Sequence, residues 1–99
     1  MKEKELRAFV AIADTRRMDQ AAKVLNYSQP ALSYQIQRLE QSIGAKLFIR
    51  DSTGSRLTRQ GEMILPSVRA ILGLMDNMRQ AVQQHSDDVD AACGSPVSN

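Results

Sequence analysis

The stretch that most restricts what this chain can fold into is Met18 to Gln37, MDQAAKVLNYSQPALSYQIQ. Met18, Ala21, Ala22 and Leu25 recur at i, i+3, i+4 and i+7, the spacing of one buried helix face. Leu32, Ile36, Leu39 and Ile43 make a second stripe of the same period. Only Asn26-Tyr27-Ser28 separates the two helices, so the chain must turn sharply between them. Asn26 suits a left-handed helix end. Ser28 or Gln29 caps the next helix, and Pro30 falls in its first turn, where a missing N–H leaves no helical bond unmade. Ala21 and Ala22 are small, so the second helix can cross the first closely and steeply. The pattern is a helix-turn-helix over 18–37 with its second helix presented outward. Off the apolar stripe that helix carries Gln29, Ser33, Tyr34, Gln37, Arg38 and Gln41, side chains able to bond base edges and phosphates.

The flanks are judged by whether they support such a reader. Residues 2–14 predict a helix with Leu6, Phe9, Val10 and Ala13 as its buried stripe. Phe9, one of four aromatics, belongs at the centre of the core. Thr15 is placed to cap the following helix. Arg16 and Arg17 then crowd the positive end of that helix, a small cost that an outside phosphate would offset; a solvated basic loop is the equally weighted alternative. Gly44 closes the second helix of the pair. Beyond it, Leu47-Phe48-Ile49 and Arg56-Leu57-Thr58 read as extended segments around a polar turn, Asp51 to Ser55. This predicts a hairpin wing over 46–58, flanked by Arg50 and Arg56. A two-stranded hairpin does not stand alone, so it leans on the helices through Leu47, Phe48 and Leu57.

A long helix is predicted over 59–85, with Thr58 as its N-cap. Ile64, Val68, Ile71, Met75, Met78 and Val82 recur at spacings of 4, 3, 4, 3 and 4, a heptad seam that asks for a partner helix. Leu65 and Leu72 lie beside the seam, placed to pack back on the helix-turn-helix. Pro66 removes one backbone bond and predicts a kink. Residues 86–99, with three acids and no apolar period, read as a disordered tail that holds Cys93.

Composition narrows the function classes. A chain of 99 residues forms one small domain that buries only roughly 60–65% of its unfolded surface, so a partner subunit would help it. Residues 1–59 carry a net charge of +5 and residues 60–99 a net −3, and the basic half holds the reader. Local positive charge favours a polyanion. One cysteine and one histidine leave no internal disulfide and no Cys/His metal cluster. There is no nucleophile–base–acid set and no glycine-rich phosphate loop, which argues against an enzyme and against a cofactor. No apolar run is long enough to span a bilayer and no signal peptide is apparent, so a cytoplasmic location without membrane association is expected. Sequence-specific DNA binding is the favoured reading. A protein-interaction module acting through the heptad helix is the alternative.

From Leu6 to about Leu72 the chain resembles the N-terminal region of LysR-type transcriptional regulators. The resemblance rests on AAKVLNYSQPALSYQIQRLEQSIGAKLFIRD, on LTRQGE from Leu57 to Glu62, and on Pro66. It implies a mostly α fold: a winged helix-turn-helix in 1–58, followed by a dimerisation helix. It also implies a recognition helix beginning at Ser28-Gln29-Pro30, with Gln29, Pro30, Ser33 and Tyr34 near the major groove and the wing near the minor groove. The expected partners are double-stranded DNA, with a pseudo-palindromic operator, and a second copy of the chain. A small-molecule effector is expected only in a full-length form, and a nucleoid association only when DNA is bound. Four places depart from the family pattern. Arg16-Arg17 stand where a small residue and a Ser are usual, Tyr34 where Arg is frequent, Thr53 where the wing commonly has a basic residue, and Arg59-Gln60 where an acid and an Ala are usual. The expected DNA-binding set is thus Arg16, Arg17, Ser28, Gln29, Pro30, Ser33, Tyr34, Gln37, Arg50, Thr53 and Arg56, the arginines serving phosphates or the minor groove.

Overall fold

The computed structural model describes residues 1–91, with side chains through residue 84. In chain order it holds α1 (Glu3–Thr15), α2 (Met18–Leu25), α3 (Gln29–Ile43), β1 (Phe48–Asp51), β2 (Gly54–Leu57) and α4 (Arg59–Ala91). The α2–α3 turn forms by local chemistry. Asn26 takes a left-handed φ of 60° and the Tyr27 N–H donates back to the Ala22 carbonyl at 2.8 Å. The Ser28 hydroxyl then accepts the Ala31 N–H at 3.2 Å, and Pro30 sits in the first turn of α3. Ala21 and Ala22 meet Leu32, Ile36 and Leu39 in the core. Gly44 ends α3 with φ 83°.

α1 is the centre of the molecule and packs against α2, α3, α4 and β2. Its burial is therefore wider than one stripe. Leu6, Ala8, Phe9, Ala11 and Ile12 are buried, whereas Val10 and Ala13, expected in the stripe, are only half-buried. Phe9 is wholly enclosed, its ring 5.3 Å from that of Phe48 and tilted by 53°. Thr15 does not cap α2. It is the last residue of α1, its hydroxyl donating to the Ala11 carbonyl at 2.8 Å. Arg16 takes the left-handed cap of α1, and Arg17 becomes the N-cap residue of α2 without a side-chain cap.

The strands pair antiparallel, Phe48 opposite Leu57 and Asp51 opposite Gly54. The turn is only Ser52-Thr53, shorter than the Asp51–Ser55 span read from sequence. One Asp51 carboxylate oxygen tightens it by accepting the Thr53 N–H at 3.0 Å and its hydroxyl at 2.7 Å. Three joints seat the wing. The Ser55 N–H donates to the Arg16 carbonyl at 2.9 Å. The Leu47 N–H donates to the Glu40 carboxylate at 2.8 Å. Thr58 donates its N–H to the Leu47 carbonyl (2.9 Å) and its hydroxyl to the Lys46 carbonyl (2.7 Å), while that hydroxyl caps α4 by accepting the Gly61 N–H (3.0 Å). Gly54, at φ 134°, has no room for a Cβ against the Arg16 carbonyl.

α4 differs from the sequence reading in two ways. It runs to Ala91, six residues past the expected boundary, because no glycine or proline interrupts the chain between Gly73 and Gly94. Residues 92–99, the rest of the expected tail with Cys93, lie outside the described residues. Second, α4 carries two apolar stripes rather than one seam. Val68, 3% exposed, is core together with Leu72, and Ile64, Leu65 and Met75 are half-buried against that core. Val68 is therefore not free to meet a second chain. The other stripe is outward: Met63, Ile71, Leu74, Met78 and Val82. Met63 and Leu74 were not in the heptad series. The reason is that the first partner of α4 is α1 of its own chain. The two run antiparallel, with Asp14 paired to Arg69, Arg7 to Asp76 (2.8 Å) and Glu3 to Arg79.

Candidate nucleic-acid interface

The N-terminal half of α3 faces outward, and one groove separates it from the wing. Ser28, Gln29, Pro30, Tyr34 and Gln37 are exposed, Tyr34 at 58%, and Ser33 is half-buried at the groove edge. Arg17, Met18, Asp19 and Gln29 form one wall, and Arg50, Ser52, Thr53 and Gly54 the other. The groove continues along α3 past Ser33, Gln37 and Glu40, with Lys46 and Arg50 opposite. The structure thus places Arg17, Gln29 and Thr53 around one opening and Ser33 and Gln37 around the next, with Arg50 lining both. Tyr34 stands on the exposed surface of α3.

Strand register decides which arginine of the wing faces this groove. Arg50 lies opposite Ser55 and shares its face, whereas Arg56 lies opposite Ile49 on the other face. Arg56 and Arg16 line a separate groove behind the wing, near Leu65 and Arg69. Those two expected contacts are therefore not joined to the α3 face. Arg56 is also engaged, 3.2 Å from Asp51. Arg50 has no carboxylate partner among the described residues.

The charges in the groove are arranged around α2. Arg17 pairs with Asp19 at 3.1 Å, and that guanidinium lowers the Asp19 pKa. Asp51 is held low as well, by the Thr53 hydroxyl and N–H and then by Arg56. Both acids stay ionised and sit on the groove rim, so a polyanion must meet the arginines from outside them. Sequence reasoning passed over Met18 and Ser52 as groove residues, since Met18 reads as part of the buried α2 stripe and Ser52 as part of the polar turn. It also passed over Glu40, whose 12%-exposed side chain holds Leu47 and approaches Lys46 at 3.7 Å, tying the wing to the same helix that carries Gln29. An acid three residues before Ile43 in a polar helix end gives no signal of that role.

A helix pair presented outward, a hairpin bolted beside it and a core helix behind define a winged helix-turn-helix protein. The family model of bacterial regulatory helix-turn-helix proteins, lysR family, matches residues 4–62, and the chain belongs to that family. It is 42% identical over 93 residues to the small neutral protease regulatory protein of Streptomyces coelicolor, covering 94% of this chain and 28% of that protein. It is 48% identical over 71 residues to the HTH-type transcriptional regulator BudR of Klebsiella aerogenes, covering 72% of this chain and 50% of BudR. The chain thus spans half or less of the length of these curated relatives. The structure is similar to that of the BenM DNA-binding domain in complex with catB site 1 DNA, with a TM-score of 0.81, 31% identity, and coverage of 87% of this chain and 97% of that one. No described helix is long and apolar enough to cross a membrane.

Proposed function

We propose that this chain is the DNA-binding part of a transcriptional regulator that binds a pseudo-palindromic operator on double-stranded DNA as a homodimer. The observation that carries the reading is the uncovered polar half of α3, which adjoins Arg17 and an Arg50 without a carboxylate partner among the described residues. The BenM relative, solved with DNA, supports carrying that partner over. In this reading Gln29, Ser33, Tyr34 and Gln37 probe base edges in the major groove. Ser28 and Pro30 set the start of α3 against the backbone. Arg17, Arg50, Lys46 and Thr53 meet phosphates or the adjacent minor groove. Arg16 and Arg56, on the far face of the wing, add to the positive field rather than to contact.

The reader occupies residues 1–58, and the linker helix that follows also supplies Val68 and Leu72 to its core. Dimerisation is assigned to the outward stripe, chiefly Ile71, Met78 and Val82 of the heptad series with Leu74 added. Met78 and Val82 are 62% and 64% exposed, and such a stripe on a lone helix favours a partner helix. That stripe serves dimerisation here, so a separate interaction module is not needed to account for it. The protein acts by binding, without catalysis or cofactor, in the cytoplasm and on the nucleoid when DNA is bound. Effector control belongs to a full-length form.

The test is selection of bound duplexes from a random pool, followed by titration across salt. The reading expects two half-sites in inverted repeat and affinity that falls steeply with salt. Arg17→Gln and Arg50→Gln should each lower the salt slope by about one. Absence of binding to any duplex at low salt would sink it.

A further inference from the structure

The apolar seat of α4 on its own domain ends at Met75. From Asp76 to Gln84 every side chain of α4 is exposed. In that exposed stretch two residues still bond to α1: Asp76 to Arg7 at 2.8 Å, and Arg79 to both carboxylate oxygens of Glu3. Glu3 also accepts from Arg7 at 2.8 Å, and Arg79 approaches Asp76 at 3.7 Å, so the four charges close into a ring. A second pair, Asp14 with Arg69, lies about 15 Å back along α4, beside buried Val68 and Leu72, where apolar packing already holds the helix.

We propose that the ring of Glu3, Arg7, Asp76 and Arg79 sets the angle at which α4 leaves the reader, and thereby the half-site spacing the dimer accepts. The inference rests on the dimeric DNA-binding reading above. The outward stripe that would meet a second copy, Leu74, Met78 and Val82, flanks the ring on the same stretch of helix. Any tilt of α4 against α1 therefore moves the partner's recognition helix. Two readers on one face of DNA lie about 34 Å apart. Val82 lies about 15 Å along α4 past buried Leu72, so a tilt of about 13° carries the outward stripe sideways by about 3.4 Å, one base-pair step. Exposed ion pairs add little to stability, so the ring acts on direction rather than on folding. Glu3 and Arg7 on α1 meet Arg79 and Asp76 on α4, the Glu3–Arg79 pair bonded bidentately, and so resist tilt in a way that a single apolar contact does not.

The experiment measures affinity of the whole chain for duplexes carrying two copies of the selected half-site, at the preferred spacing and at one base pair more or less. The wild type should lose about tenfold in affinity at either misfit spacing, the scale of one unfavourable step in a site. Glu3→Gln and Arg79→Gln should cut that loss to about threefold or less, with dimer mass by sedimentation retained and the melting temperature at neutral pH lowered by no more than about a few degrees. Asp14→Asn, which touches α4 where packing already holds it, should keep the full loss. An unchanged spacing penalty in both ring variants, with the dimer intact, overturns the proposal. So does an equal flattening in Asp14→Asn. A wild type that is monomeric, or that binds no duplex, removes the underlying reading and this one with it.

Discussion

Two glycines of α4 offer the same substitution with opposite signs. Gly73 has nothing within 4 Å of an added Cβ, so Gly73→Ala changes only helix propensity. Alanine in a helix interior is better than glycine by about 1 kcal/mol. Gly61 stands where the wing enters. A Cβ there would lie 2.5 Å from the Leu47 carbonyl oxygen and 2.9 Å from a Leu57 methyl. That carbonyl is backbone, and it already accepts the Thr58 N–H at 2.9 Å, so it cannot simply swing away. Overpacking of this kind costs about 1–3 kcal/mol, against a propensity gain of about 1 kcal/mol. An approach of 2.5 Å to a fixed backbone oxygen puts the cost at the upper end, about 2–3 kcal/mol, so the net expectation for Gly61→Ala is a loss of about 1–2 kcal/mol. For a domain this size each kcal/mol moves the melting temperature by about 4–8 °C. Gly73→Ala should therefore melt about 4–8 °C above wild type, and Gly61→Ala about 4–16 °C below it, in helical circular dichroism at one fixed protein concentration. The wing should loosen first, so Gly61→Ala should also lower DNA affinity. If Gly61→Ala melts higher, as Gly73→Ala does, the close seating of the wing on α4 is wrong.

Met78→Lys places a charge on the outward stripe and should dissociate the dimer while the monomer fold survives, because Met78 is 62% exposed in the single chain; an unchanged sedimentation mass would refute that interface. Val68→Ala should do the reverse, costing about 1–2 kcal/mol of stability in chemical denaturation and leaving the association state alone. Gln29→Ala should reduce discrimination among operator variants more than it reduces non-specific binding, and equal losses in a competition assay would make Gln29 a positioning group only. The Arg79 and Arg7 guanidiniums hold the Glu3 pKa down from its ordinary 4.5 to about 2. A carboxylate with a lowered folded pKa contributes stability that is present above the ordinary value and lost as pH falls from about 4.5 through about 2. Wild type should therefore lose more melting temperature between pH 6 and pH 2.5 than Glu3→Gln does, and parallel losses would mean the ring is not formed in solution.

Much of the fold was legible because it is written in local chemistry. Asn26, Ser28 and Pro30 set the α2–α3 turn within five residues. The stripes on α2 and α3 need only the helical period. The wing was legible as two apolar segments around a polar turn. Its turn length was not, since that depends on the Asp51 side chain bonding Thr53 across the tip. Thr15 looked like a cap because Ser and Thr often are, but its hydroxyl bonds back to Ala11 inside α1. The buried surface of α1 is wider than its period implies, because a helix packed against α2, α3, α4 and β2 has no single buried face.

The sequence by itself determined that a helix-turn-helix occupies residues 18–37, that its outer face is polar, and that a hairpin and a long apolar-striped helix follow. Those features depend on residues a few positions apart. Tertiary structure decided what depends on residues far apart in the chain. It turned Arg50 toward the α3 groove and Arg56 away, through strand register. It gave Val68 to the core and left Met78 and Val82 outside, because α1 takes one side of α4. It joined Glu3 to Arg79 across 76 positions, a pairing no periodicity encodes. A repeat shows that a helix has an apolar side, but only packing determines which neighbour covers it.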